Sequence, residues 1–322
     1  MDPTSSNSVI YLFMNKGSRI YIAGHTGLVG KNTVAKLKEF GYKNIIYPEN
    51  RIDLENEFET EDFFEKNNIE YVIFAAAKVG GIKSNNSFPV EFITKNLAIE
   101  MNVIKACFKY KIKKLLFLGS SCIYPRNCPQ PIKEEYLMTG TLEKTNSAYA
   151  VAKIAGIEMC KAYNKQYGTN YICAMPTNLY GINDNFDLNN SHVLPAMIRK
   201  FHEAKLEDEP IVELWGTGNP RREFLYAEDL AEALIYLLNH YDAKEDDNII
   251  NVGSGVDITI SDLANIISDT VGFKGGIFWD ISMPDGTSRK LLDISKIKKL
   301  GWEPKYSLEE GVSIVYKWYC KL

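Results

Sequence analysis

The amino-acid sequence predicts an α/β fold built on a doubly wound parallel sheet. Two observations carry this prediction: short, continuously apolar runs alternate with helical stretches between Arg19 and Val252, and a glycine-rich turn follows the first run. Strands that are separated by helices form parallel sheets through right-handed crossovers. We therefore expect a Rossmann sheet, joined to a smaller C-terminal α/β substrate domain.

The first strand is expected at residues 20–23, and the glycine turn that follows it is Gly24-His25-Thr26-Gly27-Leu28-Val29-Gly30. A helical stretch then runs to about Gly41. Strand, turn and helix in this order place backbone N–H groups and a helix N-terminus where a pyrophosphate binds. Gly24 permits the tight turn, Gly27 lets the backbone approach a phosphate, and Gly30 lets helix and strand pack closely. The turn predicts dinucleotide binding.

The alternation of strands and helices continues along the chain. We expect further strands at 44–47, 71–75, 115–118, 171–174 and 249–252, and helices at 57–66, 89–110, 147–167, 195–204, 227–241 and 261–271. Because no low-complexity linker divides the chain, the second domain is predicted to be built from interleaved segments. We assign 18–180 to the dinucleotide-binding domain and 181–322 mainly to the substrate domain, with about 222–253 returning to the first domain.

Composition excludes several classes of protein. The 322 residues, 45% hydrophobic and 24% charged, are typical of an ordinary globular protein of one large or two moderate domains. A net charge of -4 without a long basic run argues against nucleic acid as the main partner. Residues 1–17 contain an apolar run too short for a secretory core or a membrane span, so we expect a disordered extension there and no membrane partner.

Cysteine and histidine usage points to a reducing compartment and to no metal site. The six cysteines include no Cys-x-x-Cys pair, and the four histidines lack metal-ligand spacing. A chain of this length is not a disulfide scaffold. We expect a cytoplasmic protein.

Three stretches follow predicted strands, at the sheet edge where ligands bind. They are Ala75-Ala76-Ala77-Lys78-Val79-Gly80-Gly81, Gly119-Ser120-Ser121-Cys122-Ile123-Tyr124-Pro125 and Pro176-Thr177-Asn178-Leu179-Tyr180-Gly181. The small residues of the first stretch suit a flat cofactor, and the second carries hydroxyls and a thiol. Taken singly, each is also compatible with an ordinary tight or polar turn.

The helix between the second and third stretches carries Tyr149 and Lys153, four residues apart on one face. A cation near a phenol lowers its pKa and makes it a general acid or base, so we expect a lowered pKa for Tyr149. The same spacing occurs at Tyr110 and Lys114, so the pair alone is weak evidence. Its place beside Ser120 and Cys122 makes it a candidate catalytic pair.

The second half of the chain contains a surface suited to a nucleotide. Trp215-Gly216-Thr217-Gly218 and Arg221-Arg222 combine an aromatic ring, which can stack on a base, with guanidinium groups that bind phosphate. His192 follows a loop rich in Asn and Asp, and on its own it is compatible with a helix-capping or surface role.

These stretches, with Asn190-Ser191-His192-Val193 and Pro284-Asp285-Gly286-Thr287, resemble the GDP-L-fucose synthases of the extended short-chain dehydrogenase/reductase superfamily. The resemblance runs from about Arg19 to Trp318. It implies 3,5-epimerisation and then NADPH-dependent 4-reduction of GDP-4-keto-6-deoxy-D-mannose, in a homodimer. The implied enzyme is both an oxidoreductase and an isomerase.

The resemblance also implies roles for individual residues. Cys122 and His192 would transfer protons at carbons 3 and 5, Ser120 and Tyr149 would hydrogen-bond the carbon-4 oxygen, and Lys153 would hold the nicotinamide ribose. The implied NADP contacts are Gly24, His25, Thr26, Gly27, Leu28, Val29, Gly30, Arg51, Asp53, Leu118, Gly119, Ser120, Tyr149, Lys153, Pro176, Thr177, Asn178, Leu179 and His192. The implied substrate contacts are Ser121, Lys200, Trp215, Arg222 and Asp285.

Two positions, Lys200 and Thr26, depart from the family pattern. Lys200 stands where relatives carry arginine, so bidentate phosphate binding there is open. Thr26 replaces an arginine that meets the 2′-phosphate of NADP in bacterial relatives, and Arg51 is the candidate to supply that charge. Glu49 would instead favour NAD by accepting from a ribose hydroxyl; we expect NADP.

Two alternatives stay open at this point. One is another nucleotide-sugar epimerase, dehydratase or reductase of the same superfamily, and the pair Cys122 and His192 argues against it. The other is a non-catalytic dinucleotide-binding sensor, which the presence of Ser120, Tyr149 and Lys153 in register disfavours.

Overall fold

The computed structural model describes residues 14–48, 52–188, 190–243, 247–283 and 285–322. Strands within these ranges are β1 (Arg19–Ala23), β2 (Asn44–Ile46), β3 (Tyr71–Phe74), β4 (Lys114–Leu118), β5 (Tyr171–Pro176), β6 (Asn178–Tyr180), β7 (Ile211–Trp215), β8 (Arg221–Tyr226), β9 (Ile249–Val252), β10 (Asp257–Thr259), β11 (Gly276–Asp280) and β12 (Arg289–Lys290). Helices are α1 (Leu28–Glu39), α2 (Glu57–Asn67), α3 (Ile82–Ser87), α4 (Pro89–Lys109), α5 (Ser147–Tyr167), α6 (Val193–Leu206), α7 (Ala227–His240), α8 (Ile260–Val271), α9 (Ser295–Lys299) and α10 (Leu308–Tyr319).

Six parallel strands form the central sheet in the order β2-β1-β3-β4-β5-β9. β3, β4 and β5 are buried at every residue, as expected for strands covered by helices on both faces. The order changes direction at β1, so the carboxyl ends of β1, β3 and β4 meet near the switch point of the sheet. This arrangement confirms the predicted α/β fold with a parallel Rossmann sheet.

A second layer of structure has its own hydrophobic core. β8 lies between β10, which is antiparallel to it, and β12, while its last three residues pair with β6. β7 and β11 form a separate parallel pair. Side chains of α6, α8 and α10, such as Phe201, Ile267 and Val312, fill this second core. The strands of this layer were not predicted, because strands such as β7, in which buried and exposed residues alternate, lack the continuous apolar run that marks the central strands.

The chain returns to the central sheet after β8. α7 packs on α1, and β9 takes the sheet edge beside β5. The return begins with α7 and not near residue 222, because β8 pairs with β6, β10 and β12 in the second layer.

Residues 14–17 are part of the folded structure. Met14 is buried, and its backbone N–H donates to Oδ1 of Asn239 at 2.8 Å. The carbonyl of Lys16 accepts from the backbone of Lys43. The expectation of a disordered extension reaching residue 17 is therefore wrong for these four residues.

No helix in the described ranges is long and apolar enough to cross a bilayer.

Candidate active site

The glycine turn after β1 has the geometry of a phosphate cradle. Gly24 has φ +87°, and a Cβ there would meet the backbone of Ala76 at 2.7 Å. A Cβ on Gly30 would lie 2.1 Å from the carbonyl oxygen of Gly24, so only glycine lets α1 begin this close to the turn. Gly27 is exposed and gives α1 no side-chain cap, which leaves the first N–H groups of the helix open. Backbone donors at an uncovered helix N-terminus suit a pyrophosphate.

The loop after β3 lies beside this turn. Asn96, fully buried on α4, accepts from the backbone N–H of Lys78 at 2.7 Å and donates to its carbonyl at 3.0 Å, which fixes the extended course of the loop. A Cβ on Gly81 would lie 3.3 Å from the carbonyl oxygen of Ser191. The loop after β3 and the segment that carries His192 are therefore neighbours.

Ser120 stands at the end of β4 and caps a 3₁₀ turn. Its hydroxyl accepts from the backbone N–H of Cys122 at 3.2 Å, which places the hydroxyl and the thiol on one tight turn. Tyr149 reaches this turn from α5. Burial raises the pKa of Tyr149, the negative charges that Cys122 and Glu100 can carry raise it further, and a side-chain hydrogen bond with Ser120 opposes the increase. Tyr149 is therefore a protonated phenol at neutral pH.

This result corrects the expectation that Lys153 lowers the pKa of Tyr149. Lys153 is buried, and its Nζ lies 3.2 Å from Oε1 of Glu100 on α4, with the Phe117 ring centroid at 4.7 Å. Glu100 offsets the positive charge of Lys153, and desolvation then dominates at the phenol. The pair on α5 suits a proton donor rather than a resting base.

Cys122 lies in a cationic environment. Nζ of Lys290 is 3.8 Å from its Sγ, and the charge of Cys122 also interacts with Arg222. Arg222 and Lys290 are register partners on adjacent strands, β8 and β12, so their side chains leave the same face of the sheet. Burial lowers the pKa of Arg222, with Asp285 and Cys122 opposing that shift. Lys290 thus contacts the thiol, and Arg222 adds a second cation on the same face of the sheet, where a phosphate could also bind.

His192 is the residue before α6, and its side chain is open to solvent. Nearby protein atoms still remove part of its hydration, and this desolvation lowers the pKa of the imidazole. This combination is typical of a side chain in an open cleft. His192 is therefore mainly neutral at pH 7.

The predicted nucleotide side of the site is assembled around Trp215, which is 55% exposed at the end of β7. Lys200 of α6 donates to the carbonyl of Glu213 on the same strand at 2.9 Å. Burial lowers the pKa of Lys200. Asp285 accepts from the backbone N–H and the hydroxyl of Thr217 at 2.7 and 2.8 Å. Asp285 thus fixes the turn after Trp215, and its role as a direct substrate contact stays a prediction.

The remaining predicted cofactor residues line the carboxyl ends of the strands. Leu118 ends β4 and Gly119 follows it, while Ser121, a predicted substrate contact, is buried in the turn that comes next. The segment Pro176–Leu179 spans the junction of β5 and β6, where the side chains of Thr177 and Asn178 both donate to the carbonyl of Glu223. His25 stacks on Tyr47 with ring centroids 5.2 Å apart, beside the exposed Thr26.

Of the residues predicted at the adenosine end of the cofactor, the structure describes Asp53. Asp53 accepts from the backbone N–H of Glu55 at 3.0 Å, within the loop that precedes α2. Arg51 and Glu49, the residues proposed to decide between NADP and NAD, lie outside the described residues.

Sequence reasoning missed two residues of this site, Lys290 and Glu100. Lys290 follows the 284–287 turn in a basic pair, but only the fold brings it to Cys122. Glu100 had a local signal. It continues the buried positions Phe92 and Asn96 at a spacing of four on α4, so an acidic residue falls on the apolar face of the helix.

Within the described ranges, no group of three or more His, Cys, Asp or Glu side chains is arranged to hold a metal ion.

Comparison with known proteins gives consistent results along the whole chain. The model of the NAD dependent epimerase/dehydratase family matches residues 20–253. GDP-L-fucose synthase 1 from Arabidopsis thaliana is 52% identical over 308 residues, which cover 95% of this chain and 94% of that protein.

Two solved structures have the same fold. A GDP-mannoheptose C4 reductase from Campylobacter jejuni with NADP bound has a TM-score of 0.89 at 39% identity, covering 95% of this chain and 99% of that one. A GDP-L-fucose synthetase from Naegleria fowleri bound to NADP has a TM-score of 0.88 at 26% identity, covering 96% of each chain.

Proposed function

The chain belongs to the NAD dependent epimerase/dehydratase family and, within it, to the GDP-L-fucose synthases, and we propose that it converts GDP-4-keto-6-deoxy-D-mannose to GDP-L-fucose with NADPH. The observation that carries the proposal is that one turn after β4 holds both Ser120 and Cys122, with Tyr149 against the hydroxyl and Lys290 near the thiol. A reductase needs the two hydroxyl groups, those of Ser120 and Tyr149. An enzyme that also inverts carbons next to a ketone needs an additional acid and base.

The residues present suit NADP. The glycine cradle and the open N-terminus of α1 would hold the pyrophosphate, and the loops after β3, β4 and β5 would hold the nicotinamide half. When bound, NADPH supplies the hydride. Two NADP-bound relatives with the same fold support this choice of cofactor.

In the epimerisation, the protons on carbons 3 and 5 are acidic because they lie next to the carbon-4 ketone. We assign Cys122 and His192 as the acid and base that exchange these protons. Lys290 and Arg222 stabilise the negative charge that sulfur carries whenever the thiol has lost its proton. Ser120 and Tyr149 hydrogen-bond the carbon-4 oxygen, where the enolate charge collects.

In the reduction, Tyr149 gives its proton to the carbon-4 oxygen. Its raised pKa keeps the phenol protonated at neutral pH, which is the form that this step needs. Lys153 then stabilises the phenolate, and we assign it to the nicotinamide ribose as well. The same phenol therefore serves the epimerisation as a hydrogen-bond donor and the reduction as an acid.

The GDP half of the substrate is assigned to the second layer. Trp215 offers an exposed aromatic face for the base, and Arg222 offers a guanidinium for the diphosphate. Lys200 lies next to the Trp215 strand and supplies a further cation.

The test is to mix the purified protein with NADPH and GDP-4-keto-6-deoxy-D-mannose. We expect NADPH absorbance to fall as GDP-L-fucose forms. Protein that binds NADPH but leaves its absorbance unchanged with this substrate would contradict the proposal.

A second candidate is a reductase of a GDP-linked 4-keto sugar that performs no epimerisation. The 39% identity to the GDP-mannoheptose C4 reductase favours it. The two candidates differ in solvent exchange: in D₂O an epimerase places deuterium on carbons 3 and 5 of the product, whereas a simple reductase leaves both carbons unlabelled.

We further propose a cytoplasmic homodimer. α4 and α5 pack together and expose Met101, Phe108, Val151 and Tyr167, and such apolar side chains on paired helices suit a four-helix interface with a second copy. The six free cysteines are consistent with a reducing compartment. Light scattering should give a dimer mass for the native chain and a monomer mass for Val151→Glu.

A further inference from the structure

Glu100 is a buried carboxylate to which the proposed mechanism gives no role. It lies in the middle of α4, and its side chain is only 2% exposed. Neither carboxylate oxygen receives a well-oriented hydrogen bond from any residue in the described ranges. Its one close ionic partner there is the ammonium of Lys153, whose side chain is 3% exposed, with Nζ 3.2 Å from Oε1.

The space around this ion pair is fitted to it. A Cβ on Gly156 would lie 2.9 Å from Oε2 of Glu100 and 2.6 Å from the ring of Phe117. Glycine on α5 therefore makes room for the carboxylate and for the aromatic ring that faces the Lys153 ammonium. α4 and α5 are held in contact along their length, so the separation of the two charges is set by rigid elements.

Such a pair is a poor source of stability. Removing two charges from water costs several kcal/mol per ion, and their attraction repays this only when the remaining oxygens are hydrogen-bonded. Glu100 lacks those bonds. An apolar residue at this position of α4 would pack at lower cost, so stability does not account for the pair.

We propose that Glu100 is a positioning residue for the reduction: it anchors the ammonium of Lys153 below Tyr149 and offsets the charge of Lys153 so that the phenol keeps its proton until hydride transfer. This inference rests on the proposed function above. Lys153 stands one turn from Tyr149 on α5, so the two side chains leave the same face of the helix.

Electrostatics agree with this geometry. Burial raises the pKa of Glu100, and Lys153 opposes the increase; Lys153 is the only charged group in the described ranges that shifts it. The negative charge of Glu100 in turn contributes to the raised pKa of Tyr149. Cys160 of α5 also faces Glu100, and burial raises the pKa of its thiol well above the ordinary value, so it is neutral at pH 7.

The experiment compares the full-length wild-type protein with Glu100→Gln, which removes the charge and keeps the shape, and with Glu100→Asp, which keeps the charge on a shorter stem. Glu61→Gln is the matched control, because it breaks another glutamate–lysine pair to α4, that with Lys109, at the protein surface. For each protein we would measure the melting temperature, NADPH oxidation against pH, and deuterium uptake at carbons 3 and 5.

For Glu100→Gln we expect the rate constant of reduction to fall at least about tenfold, because a misplaced catalytic group loses rate steeply. Its KM and its deuterium uptake should stay within about threefold of wild type. The decrease in the rate of NADPH oxidation at alkaline pH should begin at a lower pH than in wild type, since the phenol loses its proton more readily once the carboxylate is gone. Glu100→Asp should show an intermediate rate with the onset of this decrease unmoved, and Glu61→Gln should match wild type.

Reduction rates and alkaline decreases in rate that are equal in wild type, Glu100→Gln and Glu100→Asp would overturn the proposal. So would a parallel loss of reduction and deuterium uptake, which a purely structural role produces. If Glu100→Gln does not fold, the rate of Glu100→Asp decides in the same way.

A readout without substrate separates this inference from the proposed function. Tyrosinate absorbance of each protein minus that of its Tyr149→Phe counterpart reports the ionisation of Tyr149 alone. We expect ionisation to begin at lower pH in Glu100→Gln than in wild type, whichever sugar the enzyme uses. An unchanged onset contradicts the role of Glu100, whereas wild-type protein that fails to oxidise NADPH with the GDP-sugar contradicts only the choice of substrate.

Discussion

The ammonium of Lys290 lies 3.8 Å from the sulfur of Cys122, although the two residues are 168 positions apart in the chain. The contact joins the two layers of the fold, because Cys122 follows β4 of the central sheet and Lys290 belongs to β12 beside Arg222. The surroundings of the thiol proposed for carbon-acid chemistry are therefore built from both layers.

Lys290→Met should slow the epimerisation. Removing one of the two cations near the sulfur should reduce deuterium uptake at carbons 3 and 5 by roughly tenfold, or about 1.4 kcal/mol of transition-state stabilisation. Alkylation of Cys122 by iodoacetamide, followed by peptide mass spectrometry, should slow in parallel. Lys290→Arg keeps the charge and should retain most of both rates; equal alkylation in all three proteins would contradict the role of Lys290.

Cys122→Ser and His192→Gln should each suppress deuterium uptake. Loss of a positioned acid or base costs about 10²- to 10⁴-fold in rate. His202→Gln is the control, because His202 lies within α6, the helix that His192 precedes, but contacts Tyr316 of α10. NMR spectra of the product formed in D₂O measure the labelling, and normal labelling in either Cys122→Ser or His192→Gln would show that our acid and base assignment is wrong.

The sequence predicted the central sheet well and the electrostatics of its site less well. Long amphipathic helices such as α4 and buried strands such as β4 are marked by local periodicity, which the sequence displays. The contact between Cys122 and Lys290 depends on the packing of distant segments, which no local pattern encodes. The sign of the pKa shift at Tyr149 was wrong for a related reason: burial and Glu100 act on the phenol, and neither is visible in the spacing of Tyr149 and Lys153.

Tyr149→Phe should nearly abolish reduction and should slow the epimerisation much less, because it removes the proton donor of the first reaction but only one of two hydrogen-bond donors of the second. The phenol is the proton donor to the carbon-4 oxygen, so NADPH oxidation should fall by about 10²- to 10⁴-fold. Deuterium uptake should persist, because Ser120 still contacts that oxygen. Tyr110→Phe, at a tyrosine with the same spacing to a lysine, should behave as wild type.

The wild-type pH profile provides a second check on Tyr149. Its raised pKa means that the phenol is protonated throughout the neutral and mildly alkaline range. The reduction needs the protonated form, so its rate is lost only as pH rises through that pKa. We expect no loss of the reduction rate from ionisation of Tyr149 below the ordinary tyrosine pKa of about 10. A loss of rate near neutral pH that disappears in Tyr149→Phe but not in Cys122→Ser would contradict the raised pKa.

Within the glycine turn, Gly30→Ala should impair folding, whereas Gly27→Ala should impair cofactor binding and leave the fold nearly as stable. A Cβ on Gly30 would lie 2.1 Å from a backbone oxygen, so Gly30→Ala should destabilise the fold by about 3 kcal/mol. A Cβ on Gly27 would have its nearest neighbour at 3.6 Å, and the backbone there, with φ -80°, suits alanine. Gly27→Ala should therefore cost only about 0.5–1 kcal/mol of stability as a poorer helix cap.

The same Cβ on Gly27 would be added at the N-cap of α1, next to the first N–H groups of the helix, where the pyrophosphate is proposed to bind. We expect the Kd for NADPH to rise roughly tenfold, or about 1.4 kcal/mol. Urea denaturation measures the stability of each variant, and quenching of tryptophan fluorescence measures NADPH binding. Wild-type affinity in a folded Gly27→Ala protein would contradict binding of the pyrophosphate against the backbone of this turn.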